Sequence, residues 1–320
     1  MPIMRPIVIQ TENLPQECSD WLAQRVDLHI CPSDSLRFKE LLPDASGIVI
    51  RTYTTVDEKM IASANNLLVV GRAGVGVDNI DLLACKNHKV SVVHTPRANS
   101  EAVVEFVLSV MLPLLRPVHK IATALDIDEW KLHRDASITQ RQFDETTIGI
   151  IGFGKVGSRL GKATTALGFR VLFCDIQEIE EQYGCNQVDM ETVIKESNVI
   201  SVHVDGRVEN HNFLHAGVFK MMKQGVVFIN TSRGFVVSTN DLADHLVHNP
   251  STTAVLDVHQ PEPFTTSYPL LGKSNAVLYP HIAAKTETAL KNMGWVVKDV
   301  YAVVRGEEPK YEATYPIYCP

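Results

Sequence analysis

The sequence predicts an α/β protein built from two doubly wound parallel-sheet domains, and three observations carry that expectation. Short apolar runs without polar alternation recur at residues 7–9, 28–30, 47–50, 67–70 and 90–93, and again at 148–151, 171–174, 199–202, 226–229, 254–258 and 276–278. Such runs suit parallel strands covered on both faces. Helix-like stretches separate them, and strand alternating with helix implies right-handed crossovers. The runs fall into two sets, and 320 residues is long for one ordinary domain but comfortable for two.

The connections follow from the same pattern. A helix over residues 99–116 joins the two sets, and Pro113 should kink it or stand near its end, because the ring removes a backbone donor. Residues 120–146 read as polar and irregular, an arm suited to contacting a partner subunit. The helical stretch 287–304 leads back toward the first set.

Composition excludes several function classes. The chain is 45% hydrophobic and 21% charged, as expected of a protein with a buried core. Its net charge of −7, with no basic stripe, argues against a nucleic-acid binder. Six cysteines at positions 18, 31, 85, 174, 185 and 319 form no CxxC pair, so they are expected to be reduced thiols, most of them core residues. The N-terminal residues turn polar too soon for a signal peptide. The longest apolar run, 106–115, is about half of the ~20 residues that a bilayer span needs, and it reads as a buried helix. A cytoplasmic protein without a membrane partner is the expectation.

The first chemical signal is Gly152-Phe-Gly154-Lys155-Val156-Gly157, which follows a strand run and opens a helical stretch. The first glycine permits the tight turn, the second lets a pyrophosphate approach the backbone, and the third lets helix and strand pack closely. Free N–H groups and the positive dipole end of the helix then face the phosphates. Residues 169–174 form a second strand run ending at Asp175, eighteen residues beyond Gly157. Its carboxylate is placed for adenosine ribose hydroxyls and would repel a 2′-phosphate; no arginine follows it, so NAD is favoured over NADP.

Three polar groups stand just past apolar runs in the second set: Arg233 after 226–230, Glu262 after 254–258, and His281 after 277–280. In an open parallel sheet, ligands bind beyond the carboxyl ends of strands. Oxidising a 2-hydroxy acid removes a hydride from carbon and a proton from oxygen. A histidine can take that proton, a carboxylate can orient the ring and favour its cation, and an arginine can fork onto the substrate carboxylate and polarise its carbonyl.

The ordered set GxGxxG, Asn230-Thr-Ser-Arg233-Gly234, Leu256-Asp257-Val…Pro261-Glu262-Pro263 and Pro280-His281-Ile-Ala283 resembles the D-isomer-specific 2-hydroxyacid dehydrogenases. Residues 69–81, with Arg72-Ala-Gly74-Val75-Gly76, are most similar to the 3-phosphoglycerate dehydrogenase branch, here without a C-terminal regulatory domain. The resemblance implies a Rossmann NAD-binding domain at 99–284 and a discontinuous, flavodoxin-like substrate domain at 1–98 and 285–320. It implies Arg233 as substrate anchor, His281 as acid/base and Glu262 as its partner. It places Lys155, Val156, Asp175, Val204, Thr231, Asp257 and Ala283 at the cofactor, with Asp257 facing the carboxamide. It assigns the substrate carboxylate to backbone N–H groups of Gly74, Val75 and Gly76. Arg51, Arg72 and Arg134 are candidates for a second anionic group, with Arg134 acting across a homodimer.

The expected activity is NAD-dependent hydride transfer to or from a small anionic 2-hydroxy or 2-keto acid: 3-phosphoglycerate, or a glyoxylate or hydroxypyruvate reductase substrate, or another acid. An NAD-sensing, co-repressor-like binding protein is the alternative from another class, since fold alone does not settle function. Asp205 stands where the resemblance implies a proline beside the adenine. His211 and His215 are read as solvated rather than metal-binding, and Cys174 as strand packing.

Overall fold

All eleven apolar runs become strands, and the physical reason is their lack of polar alternation: the inner strands are buried on both faces, while at the sheet edges the run 276–278 is half-buried and the run 28–30 leaves Ile30 57% exposed. The computed structural model describes residues 5–118, 120–180 and 182–313. The chain divides into two compact units, one made of residues up to Asn99 together with those from Lys285 onward, the other of Ser100–Ala284.

The first unit begins β1 (Ile7–Gln10), α1 (Gln16–Ala23), β2 (Asp27–Ile30), α2 (Leu36–Leu41), β3 (Ala45–Ile50), α3 (Glu58–Ala62), β4 (Val69–Arg72), α4 (Leu82–Asn87) and β5 (Ser91–Val93). The second unit runs α5 (Ser100–Leu115), α6 (Ile127–Ala136), β6 (Thr147–Ile151), α7 (Lys155–Ala166), β7 (Arg170–Cys174), β8 (Cys185–Gln187), α8 (Met190–Glu196) and β9 (Val199–Val202). It continues with α9 (Ala216–Phe219), β10 (Val227–Asn230), α10 (Thr239–His248), β11 (Thr253–Leu256) and β12 (Ala276–Leu278). Helices α11 (Glu287–Gly294) and α12 (Val297–Val304) then complete the first unit.

Every strand pairing within the two sheets is parallel. The first sheet has the order β2-β1-β3-β4-β5, the flavodoxin-like arrangement. The second has the order β12-β11-β10-β9-β6-β7-β8. Counted from β6, this is the doubly wound dinucleotide-binding order 3-2-1-4-5-6 extended by one strand. The strand order reverses between β6 and β9, so the loops after these two strands diverge and leave a crevice at their carboxyl ends.

Helix α12 shows how the first sheet is covered. Val300 is fully buried, and a Cβ on Gly71 would stand 2.2 Å from its side chain. The glycine in β4 therefore admits the helix to close packing.

Four elements depart from expectation. Strand β8 (Cys-Asn-Gln) carries no apolar run, because an edge strand pairs on one side only and its outer residues meet water. The region 120–146 is not simply irregular: it holds α6, started by a capping box in which Asp126 accepts from Glu129 N and Glu129 returns a bond to Asp126 N. The stretch 287–304 is two helices, broken at Trp295–Val296; a Cβ on Gly294 would stand 2.9 Å from Cys18 Sγ, so the break comes where the chain meets α1 closely. Helix α5 is half-buried rather than buried, with Val107 and Met111 inside and Leu114 39% exposed. Pro113 falls in its last turn, where the lost N–H bond leaves little helix beyond it to disturb. No helix among the described residues is long and apolar enough to cross a membrane. The aromatic tail at Tyr315, Tyr318 and Cys319 lies outside the described residues.

Candidate active site

The glycine-rich loop lies at the carboxyl end of β6, beside the switch point. Gly152 adopts φ +89°, and a Cβ there would press on the backbone of His203 and Val204 at 2.8–2.9 Å. Gly157 in α7 lies against the loop itself, since its Cβ would stand 2.1 Å from Gly152 O. Gly154, the residue capping α7, differs: nothing lies within 4 Å of where its Cβ would be. Two glycines thus answer to protein packing, while the middle one faces open space before the amides of Lys155 and Val156. That is the cradle a pyrophosphate needs, so the residues present fit a dinucleotide.

Asp175 follows β7 and is half-buried. Its Oδ2 accepts from Phe153 N at 2.7 Å and Oδ1 from Gln177 N at 3.1 Å, which ties the acid to the glycine loop. The next positions, Ile176-Gln-Glu178, bring no cation. Val204, after β9, is half-buried beside Gly152. Thr231, after β10, meets His203 Nδ1 through its hydroxyl at 3.3 Å. The other ring nitrogen of His203 meets Ser201 Oγ at 2.9 Å, and burial pushes this imidazole down to about 3.

The loops that carry Arg233, Glu262 and His281 lie at the same edge of the sheet. After β10, the fully buried Asn230 shapes the turn that carries Arg233: its Oδ1 accepts from Ser232 N and Oγ, and its Nδ2 donates to Arg233 O. Arg233 itself is half-buried, with Nη1 donating to Ser232 O at 2.7 Å. After β11, Glu262 accepts from His259 N at Oε1 and from His281 Nδ1 at Oε2, both at 2.7 Å. Burial pushes this carboxyl up, but the bonds from His281 and the His259 amide outweigh it and hold the group below its ordinary range. An ionised carboxylate only accepts, so His281 donates through Nδ1, and Nε2 is the nitrogen left to exchange a proton.

His281 adopts φ +55°, an uncommon backbone for a residue with a Cβ. The buried Asp257 holds it there. Asp257 O accepts from His281 N, Oδ1 from Ile282 N at 2.7 Å and Oδ2 from Ala283 N at 2.8 Å. Asp257 therefore orders the His281 loop, and the buried Ala283 is one of its anchors. A carboxylate keeps further lone pairs, so a carboxamide contact remains chemically open to it.

The anion-binding candidates of the first unit lie at the carboxyl ends of its own strands. Carbonyls of the loop after β4 are tied inward: Gly74 O accepts from Thr95, and Val75 O meets His94 Nδ1 at 2.7 Å. Val75 and Gly76 are half-exposed. The Arg72 guanidinium lies over Gly74, where a Cβ would stand 1.3 Å from Nη1. Arg51 donates from Nη1 to Asn13 O at 3.0 Å. Its backbone, with those of Thr52, Tyr53 and Thr54, donates to the Glu12 carboxylate. Arg134, on α6, lines an open hollow of about 310 Å³ with Arg116, Trp130 and His133.

Other candidates resolve into local roles. Asp205 is charge-compensated, since Arg207 forks onto both its oxygens and Asn210 also donates to it. His215 caps α9 through Nδ1, and His211 stacks on Phe235. No metal-binding cluster occurs among the described residues. Burial pushes the Cys174 thiol up to about 12.

Sequence reasoning gave no role to Asn230, His203 or His259. Each lies at or just past the end of a strand that also bears an assigned residue, which is the signal that could have found them.

Comparison with known proteins identifies the family. Residues 108–283 match the profile of the D-isomer specific 2-hydroxyacid dehydrogenase, NAD binding domain. A D-3-phosphoglycerate dehydrogenase of Archaeoglobus fulgidus is 33% identical over 306 residues, covering 93% of this chain; the chain spans 57% of that relative's length. A hydroxypyruvate reductase of Thermotoga maritima is 30% identical over 288 residues, covering 88% of this chain and 93% of the relative. The structure of a D-lactate dehydrogenase from Aquifex aeolicus, complexed with NAD and lactic acid, superposes with a TM-score of 0.80 at 28% identity, covering 94% of this chain and 96% of that one. The chain belongs to the D-isomer specific 2-hydroxyacid dehydrogenase family.

Proposed function

We propose that this chain transfers a hydride between NAD(H) and an anionic 2-hydroxy/2-keto acid, with Arg233, Glu262 and His281 as its catalytic set. The observation that carries this reading is the 2.7 Å bond from His281 Nδ1 to a Glu262 carboxylate held ionised. Bound NAD supplies the hydride acceptor. In oxidation, His281 Nε2 takes the hydroxyl proton, and Glu262 stabilises the imidazolium that forms. In reduction the same nitrogen returns the proton to the carbonyl oxygen. Arg233 holds the substrate carboxylate and polarises the carbonyl. The amides of Val75 and Gly76 are a second holder of that carboxylate; the Gly74 amide is not, because it already donates to Arg72 O at 2.8 Å. Arg72 and Arg51 favour a substrate with a further negative group, such as 3-phosphohydroxypyruvate.

Asp175 favours NAD over NADP, since a 2′-phosphate would bring negative charge against it. The free thiols at five described cysteines support a reducing, cytoplasmic setting. The chain forms a homodimer through its arm: α6 buries no residue, and Ile127, Trp130, Leu132 and Ile138 are exposed along and beside it.

The test is oxidation of NADH by purified protein against 3-phosphohydroxypyruvate, hydroxypyruvate, glyoxylate and pyruvate. Turnover concentrated on one acid is expected. Silence across the panel from protein that binds NADH would favour an NAD-sensing role instead.

A further inference from the structure

His259 is 6% exposed, and none of the assigned roles uses its side chain. Its backbone N and both ring nitrogens are nonetheless engaged. Its backbone N donates to Glu262 Oε1 at 2.7 Å. Its Nε2 lies 2.8 Å from the carbonyl of Tyr279, two residues before His281. Its Nδ1 lies 3.0 Å from the hydroxyl of Tyr268. A carbonyl only accepts, so Nε2 carries the hydrogen. In the neutral ring Nδ1 then accepts from Tyr268, whose phenol burial keeps protonated by pushing it up. The tautomer follows from these partners rather than from any visible hydrogen.

The ring is also clamped sterically. Phe264 and Tyr268 stack on one another, and both meet His259 edge-on, at 79° and 88°. The third loop closes on the backbone of the same residue. A Cβ on Gly234, the neighbour of Arg233, would stand 2.0 Å from His259 C and O. Thus the loops bearing Arg233, Glu262 and His281 all contact one buried histidine.

We propose that His259 is a positioning residue that sets the acid/base pair. Its Nε2–H ties the approach to His281 onto the loop that carries Glu262, and its backbone seats Gly234 beside Arg233. A buried aliphatic or aromatic side chain would fill the same volume. It would leave the Tyr279 carbonyl without a donor and the His281 segment free to drift from the Glu262 carboxylate. The inference rests on the roles given above to Glu262 and His281.

The test compares the full chain with H259F and H259Q. Phe keeps the ring volume and edge contacts without any N–H, whereas the Gln amide can still donate to the Tyr279 carbonyl. Wild-type protein should show His259 as the Nε2–H tautomer by nitrogen-15 NMR and a low-field proton for the His281 Nδ1–H bond to Glu262. H259F should lose that proton signal and lose roughly 10-fold or more in kcat, the size expected when one buried hydrogen bond is left unmade. NADH affinity should not change. H259Q should recover the signal and most of the turnover.

An Nδ1–H tautomer in the wild type would overturn the proposal, and this needs no variant to fold. So would H259F with the low-field proton and kcat intact, or H259Q no better than H259F at equal NADH affinity. If no keto acid turns over but the low-field proton is present and disappears in H259F, positioning stands and the hydroxyacid activity falls.

Discussion

Glu262 joins His281 Nδ1 through one carboxylate oxygen and the His259 amide through the other, each at 2.7 Å. The first bond points His281 Nε2 away from the carboxylate; the second fixes the carboxylate itself. H281A should therefore lose about 10²-fold or more in kcat, the range for a general acid/base, with NADH affinity little changed. E262Q should fall in the same direction and less far, because the glutamine oxygen still accepts a bond but no longer stabilises the cation. Steady-state kinetics paired with NADH fluorescence titration checks both; equal loss of turnover and NADH affinity would remove the role given to His281.

The glycine loop separates cofactor space from protein packing. The Cβ of G154A meets nothing within 4 Å, so the variant should fold normally while binding NADH more weakly. The Cβ of G157A would stand 2.1 Å from Gly152 O, so this variant should unfold at markedly lower temperature. Thermal unfolding and NADH titration of the pair distinguish the two effects.

Asp175 bonds to Phe153 N with one oxygen, so its carboxylate is held where negative charge on a ribose would be repelled. D175A should raise activity with NADPH relative to NADH. An unchanged ratio of kcat/KM for the two cofactors would count against the ribose role.

The Asp257 carboxylate is 1% exposed and accepts the amides of Ile282 and Ala283. In D257N one acceptor becomes a donor facing another N–H. The expected cost is about 1–3 kcal/mol for a buried donor left unpaired, together with a fall in kcat as His281 leaves its left-handed backbone position. Denaturant unfolding measures the first and kinetics the second.

His203 supplies a pH dependence of stability. Burial brings its pKa from 6.5 to about 3 in the folded chain. The unfolded chain therefore takes up this proton first as pH falls. Stability from the neutral ring is complete above pH 6.5 and declines as pH drops from 6.5 toward about 3. H203N should lack that part of the decline, so the gap between wild type and variant should narrow on acidification. Denaturant curves at several pH values check the sign.

What the sequence determined by itself is whatever depends on local order: the strands, because a short uninterrupted apolar run suits a parallel strand packed between helices, and the glycine spacing, because a tight turn and a close helix require it. Strand β8 and helix α6 were less legible. The edge strand needs no apolar run, and the capping box of α6 lies in an otherwise polar stretch. Order along the chain also named Arg233, Glu262 and His281. Only the tertiary structure decided how the latter two meet, since 19 residues separate the partners of that bond. It alone showed that Asp257 is committed to the amides of Ile282 and Ala283, and that Gly234 exists to admit the backbone of His259. Contacts of this kind form between loops at the ends of parallel strands. Their spacing is set by sheet register and crossover packing, which no local stretch of sequence encodes.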